Sequence, residues 1–142
     1  MTSGMPRLSH LLETSIYVEE LDRAQDFYQR VLGLELFLRD DRMSALGLPG
    51  NAVLLLFLKG GSVQATSTED GDDIPPHDGG GRVHLCLAIP RNELDAWQAH
   101  LRELAIPVES RITWPRGGTS LYLRDPDGSL LELATPGLWP SW

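Results

Sequence analysis

Three side chains with the chemistry of metal ligands stand far apart in this chain: Glu13, His84 and Glu132. Carboxylate oxygens and imidazole nitrogens bind divalent cations, and two carboxylates with one imidazole would balance the charge of one such ion. Each residue also has a simpler interpretation. Glu13 could be a solvent-facing charge, His84 a hydrogen-bonded core histidine, and Glu132 the partner of an arginine. Which interpretation holds depends on the elements that carry them.

The hydrophobic pattern predicts one order of elements twice: a strand, a helix and three further strands. In the first half, strands are predicted at residues 11–18, 35–39, 43–48 and 52–58. In the second half, they are predicted at residues 83–89, 108–112, 120–124 and 129–134. The first helix carries an apolar stripe and ends at Gly33. The second takes Asn92 as its N-cap and ends at Pro107.

This repetition indicates one domain over residues 1–142, built of two modules. Module one covers residues 10–60, a linker loop 61–81, module two 82–136, and a tail 137–142. Glu13 and His84 then occupy corresponding positions in the two opening strands, each five residues before an apolar strand end. Glu132 alternates with leucines on the last strand, and it faces away from the helices if those leucines face them. All three candidates would therefore share one side of the sheets.

Composition narrows the classes of function. Twenty acidic and twelve basic residues give a net charge of −8, without a basic stripe that could bind nucleic acid. Cys86 is the single cysteine, so the sequence predicts no internal disulfide. The amino-terminal residues 1–9 lack the apolar run of a secretory signal, and no apolar run is long enough to span a membrane. We expect a cytoplasmic protein that binds neither nucleic acid nor a membrane.

Two motifs resemble the signatures of a known family. Residues 18–34, VEELDRAQDFYQRVLGL, resemble the opening signature of the vicinal oxygen chelate superfamily, and residues 123–133, LRDPDGSLLEL, resemble its closing signature. The superfamily includes glyoxalases, bleomycin and fosfomycin resistance proteins, extradiol dioxygenases and methylmalonyl-CoA epimerases. The resemblance covers about residues 11–136. It implies an α+β fold of paired βαβββ modules, in which a curved mixed sheet forms a cup with helices on its outer face.

The resemblance also implies a ligand set. In the family pattern the two opening strands and the last strand supply metal ligands, which correspond here to Glu13, His84 and Glu132; His or Gln is usual where this chain has Glu13. A fourth ligand, present in glyoxalases and epimerases, would come from residues 53–58, which contain no donor side chain. The implied cofactor is one divalent ion: iron(II), manganese, zinc, nickel or cobalt. A homodimer is implied as well, with a site inside one chain or shared between two.

The function expected from these observations is that of a metal-dependent enzyme. Its substrate would be a small molecule that chelates the metal through adjacent oxygens. Both dioxygenase-like and lyase- or isomerase-like chemistry are open, and the missing fourth ligand favours the former. The alternative is a resistance-type protein that binds a drug or metabolite without turnover.

Five further residues are candidates for catalysis or substrate binding: His77, Arg116, Trp114, Tyr17 and Tyr122. His77 follows a proline pair and precedes three glycines, where it could act as a catalytic acid or base on a lid or be an ordinary loop histidine. Arg116 could bind a substrate carboxylate or phosphate, although a solvated arginine is equally compatible. Trp114, two residues earlier, is a further candidate for contact with the substrate. Tyr17 and Tyr122 could line the substrate site or contribute only to packing.

Overall fold

The computed structural model describes residues 4–142. The first half contains the strands β1 (Glu13–Val18), β2 (Glu35–Arg39), β3 (Met43–Leu48) and β4 (Ala52–Leu58) and the helix α1 (Leu21–Leu32). The linker holds two short strands, β5 (Thr66–Ser67) and β6 (Asp73–Ile74). The second half contains β7 (His84–Ala88), α2 (Leu94–Glu103), β8 (Ser110–Thr113), β9 (Thr119–Arg124) and β10 (Leu130–Ala134).

Each half forms an open four-stranded sheet with the same arrangement. The strand orders are β1-β4-β3-β2 and β7-β10-β9-β8. In both sheets the opening strand pairs in parallel with the last strand of its half, and the other pairings are antiparallel. The predicted α+β class of paired βαβββ units is therefore confirmed. The predicted strands also recur within one or two residues of their observed bounds.

The helix ends confirm the prediction at Gly33 and contradict those at Asn92 and Pro107. Gly33 ends α1 in the left-handed conformation (φ 70°), as predicted. Asn92 is not the N-cap of α2, because it lies within a 3-10 turn, Arg91–Glu93, in which the amide of Glu93 bonds the Pro90 carbonyl. Glu93 takes the cap position without a side-chain hydrogen bond. At its other end α2 stops at Glu103, before Pro107, through a left-handed Ala105 (φ 55°).

One continuous hydrophobic core lies on one face of both sheets. The sheets contribute alternate apolar residues to it, and the two helices contribute their apolar stripes. The opposite face, called the site face below, carries Glu13 and Tyr17 on β1, His84 on β7 and Glu132 on β10. Strand alternation therefore assigned the sides correctly.

The two family-like motifs contact each other across the molecule. The Tyr28 hydroxyl of α1 donates to Asp125 Oδ2 in the β9–β10 turn at 2.7 Å, in a buried position. The other oxygen of Asp125 accepts the amides of Asp127 and Ser129, which fixes the turn. Asp127 in turn accepts the amide of Glu19. Burial and the nearby Asp125 charge raise the pKa of Tyr28 far above its usual range, so its hydroxyl remains a donor.

Within residues 4–142, no helix has the length and apolar character needed to cross a membrane.

Candidate metal centre

The site face of the second sheet brings two of the predicted ligands together. His84 Nε2 lies 3.1 Å from Glu132 Oε1. The two residues reach each other because β7 and β10 are parallel neighbours, with Leu130 opposite His84 and Glu132 opposite Cys86. Half of the His84 side chain is exposed, whereas only 7% of the Glu132 side chain is. The pair thus combines a buried carboxylate with an accessible imidazole.

The orientation of His84 suits a cation. Its Nδ1 lies 2.9 Å from the Leu130 carbonyl oxygen, which can only accept, so Nδ1 carries a proton. A neutral imidazole then has its lone pair on Nε2, facing the carboxylate of Glu132. Two acceptors at this distance repel each other unless a proton or a metal ion lies between them. A backbone carbonyl at the far nitrogen is also how proteins commonly orient ligating histidines, so these two residues fit a divalent ion.

A second hydrogen-bond chain fixes the other oxygen of Glu132. The Ser120 hydroxyl donates to Glu132 Oε2, and Trp114 Nε1 donates to Ser120 Oγ at 2.8 Å. Because the indole N–H occupies the serine oxygen as an acceptor, the serine proton is directed to the carboxylate. Ser120 is fully buried. The sequence indicated Trp114 as a substrate contact but did not indicate Ser120, whose role depends on cross-strand register.

Tyr122 and Cys86, which lie beside Glu132, keep their protons near pH 7. The ring of Tyr122 stacks on that of His84, with centroids 6.3 Å apart. Burial, followed by the negative charge of Glu132, raises the pKa of Tyr122. The same two causes raise the pKa of Cys86 to about 12, because its thiol lies against Glu132 even though the residue is exposed. Neither group therefore adds negative charge to the site.

Glu13 lies apart from this pair in the fold. It is exposed on the site face of the first sheet, where its register partner is Val53. Among residues 4–142 no three His, Cys, Asp or Glu side chains are grouped as a metal site would require. One chain thus places His84 with Glu132 and does not add Glu13 to them. The site face of β4 supplies Val53, Leu55 and Phe57, so it offers no fourth donor.

The remaining secondary candidates, Tyr17, His77 and Arg116, lie away from the His84–Glu132 pair. Tyr17 and His77 meet at one end of the first sheet, with the tyrosine hydroxyl 2.6 Å from His77 Nδ1. Sequence reasoning named both residues but gave no sign of their contact, since 60 positions separate them. Arg116 is exposed in the turn between β8 and β9, where the Trp114 amide bonds the Gly118 carbonyl.

The structure has two open mixed sheets of the βαβββ type and a histidine–carboxylate pair on their site face. Comparison with known proteins assigns the chain to a superfamily. The model of the Glyoxalase/Bleomycin resistance protein/Dioxygenase superfamily matches residues 7–133. The chain belongs to this superfamily.

The similar proteins include lactoylglutathione lyases and a catechol dioxygenase. The crystal structure of a lactoylglutathione lyase from Agrobacterium tumefaciens has a TM-score of 0.85 and 34% identity, covering 95% of this chain and 99% of that one. A lactoylglutathione lyase of Pseudomonas putida is 26% identical over 145 residues, covering 87% of this chain and 83% of the lyase. Catechol-2,3-dioxygenase of Bacillus subtilis (strain 168) is 26% identical over 129 residues, or 88% of this chain. The chain spans only 41% of the dioxygenase's length.

Proposed function

We propose that this chain is a metal-dependent enzyme in which His84 and Glu132 bind one divalent ion and Glu13 completes the protein ligands. The substrate is a small molecule with two adjacent oxygens. The observation that carries the proposal is the 3.1 Å contact of His84 Nε2 with the buried Glu132 Oε1, in which a proton or a metal ion must lie between the two atoms. Superfamily membership supports the same conclusion. A cytoplasmic location stays a prediction.

The residues of the chain have separate tasks in this proposal. His84 and Glu132 hold the ion from adjacent strands, while Ser120 and Trp114 keep the carboxylate from rotating away. A divalent ion bound there would polarise the two oxygens of the substrate and stabilise negative charge that develops on them. Tyr122 lies beside His84 and is positioned to contact the substrate. Arg116 would have to approach from the turn between β8 and β9, and its role as a substrate contact stays a prediction.

Metal binding by variants tests the ligand set. We expect the purified protein to bind about one ion per chain, and His84→Ala and Glu132→Gln to weaken binding by at least about 100-fold, because ligands contribute more than the groups that orient them. Calorimetric titration with manganese, zinc and iron(II) measures this. His10→Ala is the matched control, since the exposed His10 bonds only the Asn51 carbonyl among residues 4–142. Undiminished affinity in both site variants would refute the proposal.

Glu13 is the least constrained part of the proposal, and its placement on the other sheet suggests that it reaches the ion from a second copy of the chain. We therefore propose a homodimer with shared sites. Mixing Glu13→Ala chains with His84→Ala chains after unfolding and refolding should restore metal binding in mixed dimers, because one of their two sites is intact. If all ligands came from one chain, mixing would restore nothing. Unchanged affinity of Glu13→Ala alone would remove this residue from the ligand set.

Two reactions fit the site and the relatives. The two lactoylglutathione lyases resemble this chain over 99% and 83% of their lengths, which favours a lyase or isomerase reaction. The absence of a donor on the site face of β4 leaves more open coordination positions, which favours a reaction with dioxygen. Oxygen consumption with catechols and absorbance assays with the hemithioacetal of methylglyoxal and glutathione separate the two. Tight binding of a ligand that persists in chelator, without product, would instead indicate a binding protein.

A further inference from the structure

A cluster of aromatic and cationic side chains occupies one end of the site face of the first sheet. Tyr17 and Phe57 are register partners on β1 and β4, and their rings stack with centroids 5.9 Å apart. The linker folds back over this end. Gly79 rests on Tyr17 so closely that a Cβ at this position would lie 2.5 Å from the tyrosine ring. This end of the sheet is therefore covered by ordered backbone that depends on a glycine.

His77 is held at this place by three contacts. Its amide donates to the Ser62 carbonyl at 2.9 Å, and its ring meets the Phe57 ring edge-on at 4.5 Å. Its Nδ1 lies 2.6 Å from the Tyr17 hydroxyl oxygen, and because a phenol is a stronger donor than an imidazole N–H group, we assign the proton of this hydrogen bond to Tyr17. A neutral imidazole that accepts at Nδ1 carries its proton on Nε2. Among residues 4–142 that Nε2–H group has no hydrogen-bond partner, so it is a free donor.

Arg42 provides further donors next to the same ring. Its Cζ lies 5.8 Å from the Phe57 centroid, and its Nη1 donates to Ser62 Oγ at 2.6 Å. In the described part of the chain no carboxylate lies within ion-pair distance of this guanidinium. Four other arginines do have acidic partners, namely Arg23, Arg30, Arg39 and Arg124. Six more arginines of residues 4–142 also lack an acidic partner, but all six are exposed, whereas Arg42 is partly buried.

Ser62 joins the two groups. It is 2% exposed, and it binds Arg42 through its hydroxyl and His77 through its carbonyl. The unused groups on both sides of it are all donors. Such a site is matched by an acceptor-rich anion, for which a guanidinium fork is well suited. The rings of Tyr17 and Phe57 lie under this site and are covered themselves, since Phe57 is 6% exposed and Gly79 rests on Tyr17.

We propose that Arg42 and His77 form an oxyanion-binding site that takes a carboxylate of the substrate. The inference rests on the proposed function, because it assigns this carboxylate to the molecule that chelates the metal. Tyr17 is four residues from Glu13 on the same face of β1, or roughly 13 Å along the strand. A substrate that reaches both places is longer than a single ring.

Titration with benzoate tests the site in the full-length protein, followed by NMR of the histidine side-chain nitrogens and by calorimetry. We expect benzoate to shift the His77 Nε2 resonance, and benzyl alcohol, which has the same ring without the charge, to leave it unchanged. Arg42→Gln should weaken benzoate binding about 10- to 100-fold, in line with the strength of charge-assisted hydrogen bonds. Arg42→Lys should show an intermediate loss, because it keeps the charge but not the fork.

Arg30→Gln is the matched control: Arg30 is a half-exposed arginine paired with Asp26 on α1, and its replacement should leave benzoate binding unchanged. Circular dichroism and metal content verify that each variant folds. Equal binding of benzyl alcohol and benzoate, normal binding by Arg42→Gln, or tighter binding of inorganic phosphate than of benzoate would each overturn the proposal. Arg42-dependent benzoate binding in a protein that binds no metal would uphold this site and refute the proposed function.

Discussion

Burial and the negative charge of Glu132 raise the pKa values of Cys86 and Tyr122. The pKa of Cys86, raised to about 12, predicts about 1,000-fold less thiolate at pH 8 than a thiol with the ordinary value near 9 would have. In metal-free protein, where no ion offsets the charge of Glu132, iodoacetamide should therefore alkylate native Cys86 about 1,000-fold more slowly than the same residue in urea-unfolded protein. Mass spectrometry of quenched samples gives both rates. Similar rates in the two states would show that burial and Glu132 do not protect the thiol.

Ser120 is the side chain whose loss should be most costly relative to its size. Ser120→Ala leaves a buried oxygen of Glu132 without its donor, and we expect a decrease of about 1–3 kcal/mol in the free energy of unfolding. Ser110→Ala makes the same replacement at an exposed position on the adjacent β8 and should cost much less. Urea titrations of both variants measure the difference. Equal costs would mean that the Ser120 hydroxyl contributes no more than an exposed one.

At the level of elements, the two helices end with different residue types at positive φ: a glycine after α1 and an alanine after α2. Gly33 and Ala105 both adopt positive φ, but only alanine carries a Cβ that is strained there. Gly33→Ala should destabilise the protein by about 1 kcal/mol, since nothing within 4 Å contacts the added Cβ and only backbone strain is introduced. Ala105→Gly should stabilise it by up to about 1 kcal/mol. Urea unfolding tests both, and changes of the same sign would contradict this account.

Most helices and strands, and the sides of the strands on which the candidate ligands lie, could be predicted from the sequence. Alternation of apolar and polar residues assigned Glu13, His84 and Glu132 to the correct side of their strands, because that side follows from a period of two. Asn92 was assigned wrongly because a preceding proline started a 3-10 turn that delayed the helix. The preference of asparagine for the N-cap position concerns the residue type alone, so it does not indicate that a 3-10 turn precedes the helix.

Contacts between distant segments could not be predicted in the same way. Neither Ser120 beneath Glu132 nor Tyr17 beside His77 follows from periodicity, since both depend on how a turn or linker returns to a sheet. The linker was interpreted as a loop, and its polar, glycine-rich composition concealed the β5–β6 pair and the packing of Gly79 on Tyr17. Only the three-dimensional arrangement reveals the unpaired Arg42.

For the whole molecule, the buried pair of Tyr28 and Asp125 connects the two halves. The raised pKa of Tyr28 means that the folded protein keeps this phenol protonated, while the unfolded chain ionises it near pH 10. The stabilisation is therefore complete below pH 10 and is lost progressively as the pH rises above it. Tyr28→Phe should lower the free energy of unfolding by about 1–3 kcal/mol at pH 8 and reduce this alkaline loss. Urea titrations at pH 8 and 10.5 provide the comparison, and an equal loss in both proteins would exclude Tyr28 as its source.

The same contact has a kinetic consequence. Tyr28 and Asp125 are 97 positions apart, so the hydrogen bond forms only after most of the polypeptide has closed into a loop. Closing a loop of this length costs conformational entropy before stabilising contacts can form. This cost lowers the folding rate of proteins whose native contacts are non-local. The halves should then acquire their final structure together, late in refolding, and a newly synthesised amino-terminal half should wait for the carboxyl-terminal turn before it becomes rigid.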